Sequence, residues 1–151
     1  MEKDIDIIVY GATGFTGKLC VEYLASKERS TKWAIAGRNQ EKLKTVADEL
    51  CPEVEILIAD SEDEDALDQL TQRAKVVLST AGPFHRYGSK LVASCVKNNT
   101  HYVDITGENF WVKGLIDKHH DEASRKGVRL SLIHISEPTR RRGISFGGVG
   151  V

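Results

Sequence analysis

Three glycines at three-residue spacing in Tyr10-Gly11-Ala12-Thr13-Gly14-Phe15-Thr16-Gly17 stand between an apolar run and a stretch of helical periodicity. A strand, a glycine turn and a helix in that order make a phosphate site. Gly11 can form the tight turn, Gly14 lets the main chain approach a pyrophosphate with no Cβ in the way, and Gly17 lets the helix pack closely on the strand. Ala12, Thr13, Phe15 and Thr16 complete the candidate site, because the freed N–H groups and the positive end of the helix dipole face the phosphates.

Further residues that could do chemistry recur after the later apolar runs. Gly37-Arg38-Asn39-Gln40 stands where dinucleotide-binding domains often place an acidic residue for the ribose 2'-hydroxyl. Arg38 suits a 2'-phosphate instead, or is a solvated arginine at a helix start. Asp60 has two readings, a contact to the adenine ring or a helix N-cap together with Ser61. Ala81, Gly82 and Pro83, after Ser79-Thr80, are small enough to form a wall close to a cofactor. His85 or Tyr87 could supply a proton, although a loop histidine is more often solvated. Asp104-Ile105-Thr106-Gly107-Glu108 is a polar cluster in which Thr106 and Glu108 also fit a helix N-terminus. His119 and His120 are adjacent on a helical pattern, point about 100° apart and cannot chelate one metal together, so no metal site is expected.

Strands and helices must hold these groups. Strand-length apolar runs at Ile5–Tyr10, Trp33–Ala36, Val54–Ala59, Val76–Thr80, Tyr102–Ile105 and from Val128 alternate with helical patterns at Phe15–Lys27, Glu41–Leu50, Glu64–Gln72, Ser89–Lys97 and Val112–Lys126. Runs this apolar, each separated by ten or so helical residues, predict a parallel sheet covered on both faces. Right-handed crossovers then favour the α/β, Rossmann-type doubly wound arrangement.

The bulk numbers bound the function. A chain of 151 residues, 40% hydrophobic, has room for one ordinary core, and a formal net charge of -1 excludes a strong pull toward nucleic acid. A small-molecule partner fits better. Cys20, Cys51 and Cys95 lack metal-type clustering and read as reduced structural thiols, which with the absence of a spanning run predicts a cytoplasmic protein.

The final segment departs from the pattern. Leu130 to Arg140 reads as the translation of a transposase adaptor used in sequencing libraries, all eleven codons matching. The expectation is therefore a dinucleotide-binding Rossmann domain over residues 1–129 and a non-native tail over 130–151. Without the tail's three arginines and one glutamate the formal charge is about -3.

The glycine spacing is the variant of short-chain and extended dehydrogenase-like domains. Together with Trp33-Ala34-Ile35-Ala36-Gly37-Arg38, Gly82-Pro83-Phe84, Tyr87-Gly88 and His101 to Glu108, it closely resembles the saccharopine dehydrogenase-like oxidoreductases. That family takes in bacterial trans-acting enoyl reductases. The resemblance implies an NADP-binding domain, with NAD as the alternative, cut off before a substrate domain and itself not competent for turnover. Its parent would transfer hydride between the cofactor and an unidentified small-molecule or lipid-like substrate, and the missing part could associate with a membrane or lipid droplet. It carries no catalytic residue over to this chain. A dinucleotide-sensing module without catalysis and a lipid-associated scaffold are the alternatives.

Overall fold

The computed structural model describes residues 3–27, 30–106 and 108–132. The elements in chain order are β1 (Ile5–Tyr10), α1 (Phe15–Ala25), β2 (Trp33–Gly37), α2 (Gln40–Leu50), β3 (Glu55–Ile58), α3 (Glu64–Arg73), β4 (Ala74–Ser79), α4 (Phe84–Tyr87), α5 (Ser89–Lys97), β5 (His101–Asp104), α6 (Asn109–Lys126) and β6 (Leu130–Ser131). The strands pair in parallel in the order β3-β2-β1-β4-β5-β6. This is the expected doubly wound Rossmann-type sheet. The order reverses between β1 and β4, so the connections that leave these two neighbours run to opposite sides and open a crevice at their carboxyl ends.

Alternation along the strands feeds two cores. Val9 and Ile35 point into one layer with Val21 of α1 and Leu43, Val46 and Ala47 of α2. Ile8, Tyr10, Ala34 and Ala36, displaced by one residue, point into the other with Leu67 and Leu70 of α3, Leu91, Val92 and Cys95 of α5, and Trp111 and Leu115 of α6. Side chains of successive strand residues leave opposite faces of a sheet, so strands buried on both faces must be apolar throughout.

Local chemistry sets the helix ends. The Asn39 side chain accepts from the Lys42 N–H at 3.0 Å and starts α2. Asp63 accepts from the Ala66 N–H at 3.1 Å and starts α3. The N-cap reading of Asp60 is corrected here: its carboxylate accepts from the Glu62 N–H at 2.9 Å, and its carbonyl from the Asp63 N–H at 3.0 Å. Asp60 thus closes a turn ahead of the helix, and α3 starts at Glu64 as expected, with Asp63 as its cap. Gly127, at φ 70°, ends α6 in the left-handed region open to glycine.

The one-turn helix α4 is a further difference from expectation, since four residues carry no readable period. At the other boundary, Leu130 and Ser131 pair with Tyr102 and Val103, and Leu132 is buried. The alternation Leu-Ser-Leu is a strand pattern whatever its origin, so the sheet continues through the first residues of the segment set apart by sequence. His134, Pro138 and Arg140–Arg142 lie outside the described residues. No helix of the described residues is long and apolar enough to cross a membrane.

Candidate functional site

The loop after β1 is built against the loop after β4. Gly11 has φ +85°, and a Cβ there would lie 2.9 Å from the Ala81 nitrogen. Its N–H donates to the Ala36 carbonyl at 2.9 Å, and its carbonyl accepts from the Gly14 N–H at 3.2 Å, which closes the turn. The Thr80 hydroxyl donates to the carbonyls of Tyr10 at 3.1 Å and Gly11 at 3.0 Å. Gly17 comes so close beneath that a Cβ would meet the Gly11 carbonyl oxygen at 2.2 Å and the Thr80 Oγ1 at 2.9 Å. Gly14 differs: it is exposed, and the nearest atom to a Cβ would be 3.7 Å away.

This leaves the start of α1 open. Gly14 is its N-cap and offers no side-chain hydrogen bond, and the first turn holds no acidic residue. The first N–H groups of a helix have no partner within it, and with the helix dipole they make a site for an anion. Ala12 is buried beneath the loop, Thr13 and Thr16 are half-buried, and Phe15 is 81% exposed.

The far end of the same sheet edge carries Arg38 and Asp60. Arg38 directly follows β2, is exposed, and makes no hydrogen bond or ion pair with another described residue. Tyr10 is buried, and its hydroxyl donates to the Ala59 carbonyl at 2.9 Å, tying the end of β1 to the end of β3. Burial first and the Asp60 charge second push the Tyr10 pKa up to about 12, while the Arg38 charge works against them. Arg38 and Asp60 thus both bear on one buried hydroxyl. A planar guanidinium beside an open carboxyl edge can take a phosphate in bidentate fashion.

On the opposite side, the β4 loop runs through Ala81 and a cis Gly82–Pro83 peptide into α4. Phe84 is buried, with its ring stacked on Trp111 at a centroid distance of 6.0 Å. Trp111 lies so near Gly88 that a Cβ there would sit 2.7 Å from the indole. The Glu108 carboxylate accepts from the Phe84 N–H at 2.6 Å and the His85 N–H at 3.1 Å, and it also pairs with His85 Nδ1. Glu108 therefore caps α4 from another loop, although by position it is the N-cap of α6. Burial works to raise the Glu108 pKa, but the bonds from the His85 ring and from the two N–H groups outweigh it and hold the carboxyl below the usual glutamate value.

A chain of hydrogen bonds leads back from Glu108 into the sheet. The Glu108 N–H donates to Thr106 Oγ1 at 3.0 Å, the Thr106 N–H to Asp104 Oδ1 at 2.9 Å, and the Tyr102 hydroxyl to Asp104 Oδ2 at 2.6 Å. The helix-start reading holds for Glu108, whose carbonyl accepts from the Trp111 and Val112 N–H groups as the N-cap of α6, while its side chain serves α4 and Thr106 serves the turn before α6. No local motif joins residues 23 apart, so the sequence offered no signal for this pairing. His119 is buried in the core, where burial and then the Lys118 charge lower its pKa, and it lies on α6 away from the loops above.

A family profile described as the saccharopine dehydrogenase NADP binding domain matches residues 7–130. The chain is 42% identical over 134 residues to a protein named trans-acting enoyl reductase of Mycobacterium leprae, covering 87% of this chain and 32% of that protein. The Mycobacterium tuberculosis protein of the same name shows the same identity and coverage. The chain therefore spans about a third of the length of the curated relatives it matches. Among solved structures, apo saccharopine dehydrogenase (L-Glu forming) from Saccharomyces cerevisiae superposes with a TM-score of 0.74 at 17% identity, covering 93% of this chain and 31% of that one. A putative short chain dehydrogenase from Escherichia coli does so at 0.64 and 18%, covering 86% and 79%. At such identities these structures show the fold alone.

Proposed function

The chain belongs to the family of saccharopine dehydrogenase NADP-binding domains, and from that premise we propose that the crevice at the carboxyl ends of β1 and β4 is where NADP(H) lies. Gly11 to Gly17 take the pyrophosphate: the main chain of Gly11, Ala12, Thr13 and Gly14 forms the rim, and the first N–H groups of α1, from Phe15, Thr16 and Gly17, point at the charge. Arg38 takes the 2'-phosphate and Asp60 borders the adenine. Ala81, Gly82 and Pro83 form the wall at the nicotinamide end.

The observation that carries this reading is the open start of α1 at the point where the strand order reverses, with no side-chain cap and no acidic residue in its first turn. Anions favour such a helix terminus, and Gly14 leaves room above it. The guanidinium of Arg38, unpaired among the described residues, argues for the phosphorylated form of the cofactor over NAD.

NADP supplies or accepts a hydride when bound. We propose that the chain serves as the nucleotide-binding part of an NAD(P)-dependent oxidoreductase with a small-molecule or lipid-like substrate. The name of the mycobacterial relatives favours reduction of an enoyl group.

Calorimetric titration of the whole chain with NADPH and with NADH tests the cofactor assignment. Tighter binding of NADPH is expected. A folded chain that takes up neither would overturn it.

A further inference from the structure

The loop that forms the nicotinamide-side wall is short of anchors of its own. Gly82 and Pro83 are exposed, and within the loop the Gly82 N–H reaches the Thr80 carbonyl at 3.1 Å. At its near end Thr80 fastens it to Tyr10 and Gly11. At its far end the Phe84 ring packs on Trp111, and the Pro83 carbonyl accepts from the Arg86 and Tyr87 N–H groups at 3.1 Å, bonds that are local to the turn and α4.

We propose that Glu108 is the positioning residue of the nicotinamide half of the site, its carboxylate holding the Ala81–His85 turn in the orientation that forms that wall. The inference rests on the crevice being the NADP(H) site. One carboxylate takes two successive main-chain N–H groups and the ring of His85, all from the loop it faces. Bonds from N–H groups to an ionised acceptor are short, directional and about twice as strong as neutral ones. The main chain that carries this carboxylate is itself held, since the Glu108 N–H donates to Thr106 and the Thr106 N–H to Asp104 at the end of β5 beside β4. The wall is thereby registered to the sheet that carries the phosphate loop. Glu108 is partly exposed, at 28% of its side chain, so its loss should loosen the turn and leave the core intact.

Two ligands separate this role from a general one. Adenosine 2',5'-bisphosphate reaches the Arg38 end and the glycine loop but lacks the nicotinamide half, whereas NADPH needs both halves and reports its nicotinamide by fluorescence. In Glu108→Ala, adenosine 2',5'-bisphosphate should bind as in the unchanged chain, while NADPH should bind about tenfold more weakly, the scale of one lost hydrogen bond to a charged group. The rise in dihydronicotinamide fluorescence on binding should shrink with it. Glu108→Gln keeps one acceptor oxygen and should fall between the two.

Unchanged NADPH affinity and fluorescence in Glu108→Ala would overturn the proposal. Equal loss of both ligands would also overturn it, because Glu108 would then support the whole fold. Failure of the unchanged chain to bind adenosine 2',5'-bisphosphate would instead bring down the nucleotide reading, and the inference with it.

Discussion

Gly17 lies directly beneath the carbonyl of Gly11, so close that a Cβ would stand 2.2 Å from that oxygen and 2.7 Å from the Ala12 Cα. Both neighbours are main-chain atoms of the glycine loop, so neither can swing aside. Gly17→Ala must push α1 away from the loop. A loss of about 1–3 kcal/mol in stability is expected, typical of overpacking, and nucleotide affinity should fall further because the first N–H groups of α1 move with the helix. Urea unfolding and NADPH titration of the same variant check both, and a variant that matches the unchanged chain in both would show that the helix has slack there. Gly14→Ala, where a Cβ meets nothing closer than 3.7 Å, should spare stability.

Arg38 decides the cofactor in the proposed pose. Arg38→Asp removes the partner of the 2'-phosphate and supplies an acceptor for a ribose hydroxyl. The ratio of NADPH to NADH affinity should drop by roughly ten- to a hundredfold, the range of a hydrogen bond to a charged group. Calorimetry on both cofactors reads it directly. The same ratio in variant and unchanged chain would remove Arg38 from the site.

Asp104 should leave a signature in the pH dependence of stability. It is 3% exposed. Burial raises its carboxyl pKa above the ordinary 3.8, against the pull of the Tyr102 hydroxyl and the Thr106 N–H, with the Glu108 charge adding to the rise. For an acid with a raised pKa in the folded state, the stabilising contribution is full below the ordinary value and is lost as pH climbs through the raised one. Asp104→Asn cannot ionise, and its amide can donate to the Tyr102 hydroxyl while its carbonyl still accepts from Thr106. Urea unfolding from pH 4 to pH 7 should therefore show the variant gaining stability relative to the unchanged chain. A difference that stays flat across that interval would mean that Asp104 does not carry this penalty.

The strands and most helices were legible because both cores are filled by side chains at regular spacing. Leu43, Val46 and Ala47 repeat at helical spacing and pack as one face, and Ile8 and Val9 are apolar because each serves a different face of the sheet. The glycine loop was legible for a related reason, since its geometry depends on Gly11 and Gly17, two glycines within seven residues. The start of α3 at Glu64 was legible too, but its cap was not, because Asp60 and Asp63 are both aspartates near an apolar run and only the hydrogen bonds tell them apart.

The sequence by itself determined what neighbours along the chain can determine: the alternation of strands and helices, the glycine turn into α1, and a basic residue where β2 ends. Only the tertiary structure decided which carboxyl ends lie side by side, and so brought Thr80 and Ala81 against Gly11 and Glu108 against Phe84 and His85. The physical reason is range. Helix and strand periods and tight turns arise from backbone sterics and hydrogen bonds within a few residues, whereas a carboxylate that holds a loop 23 residues away reaches it only after the parallel sheet has set β5 beside β4.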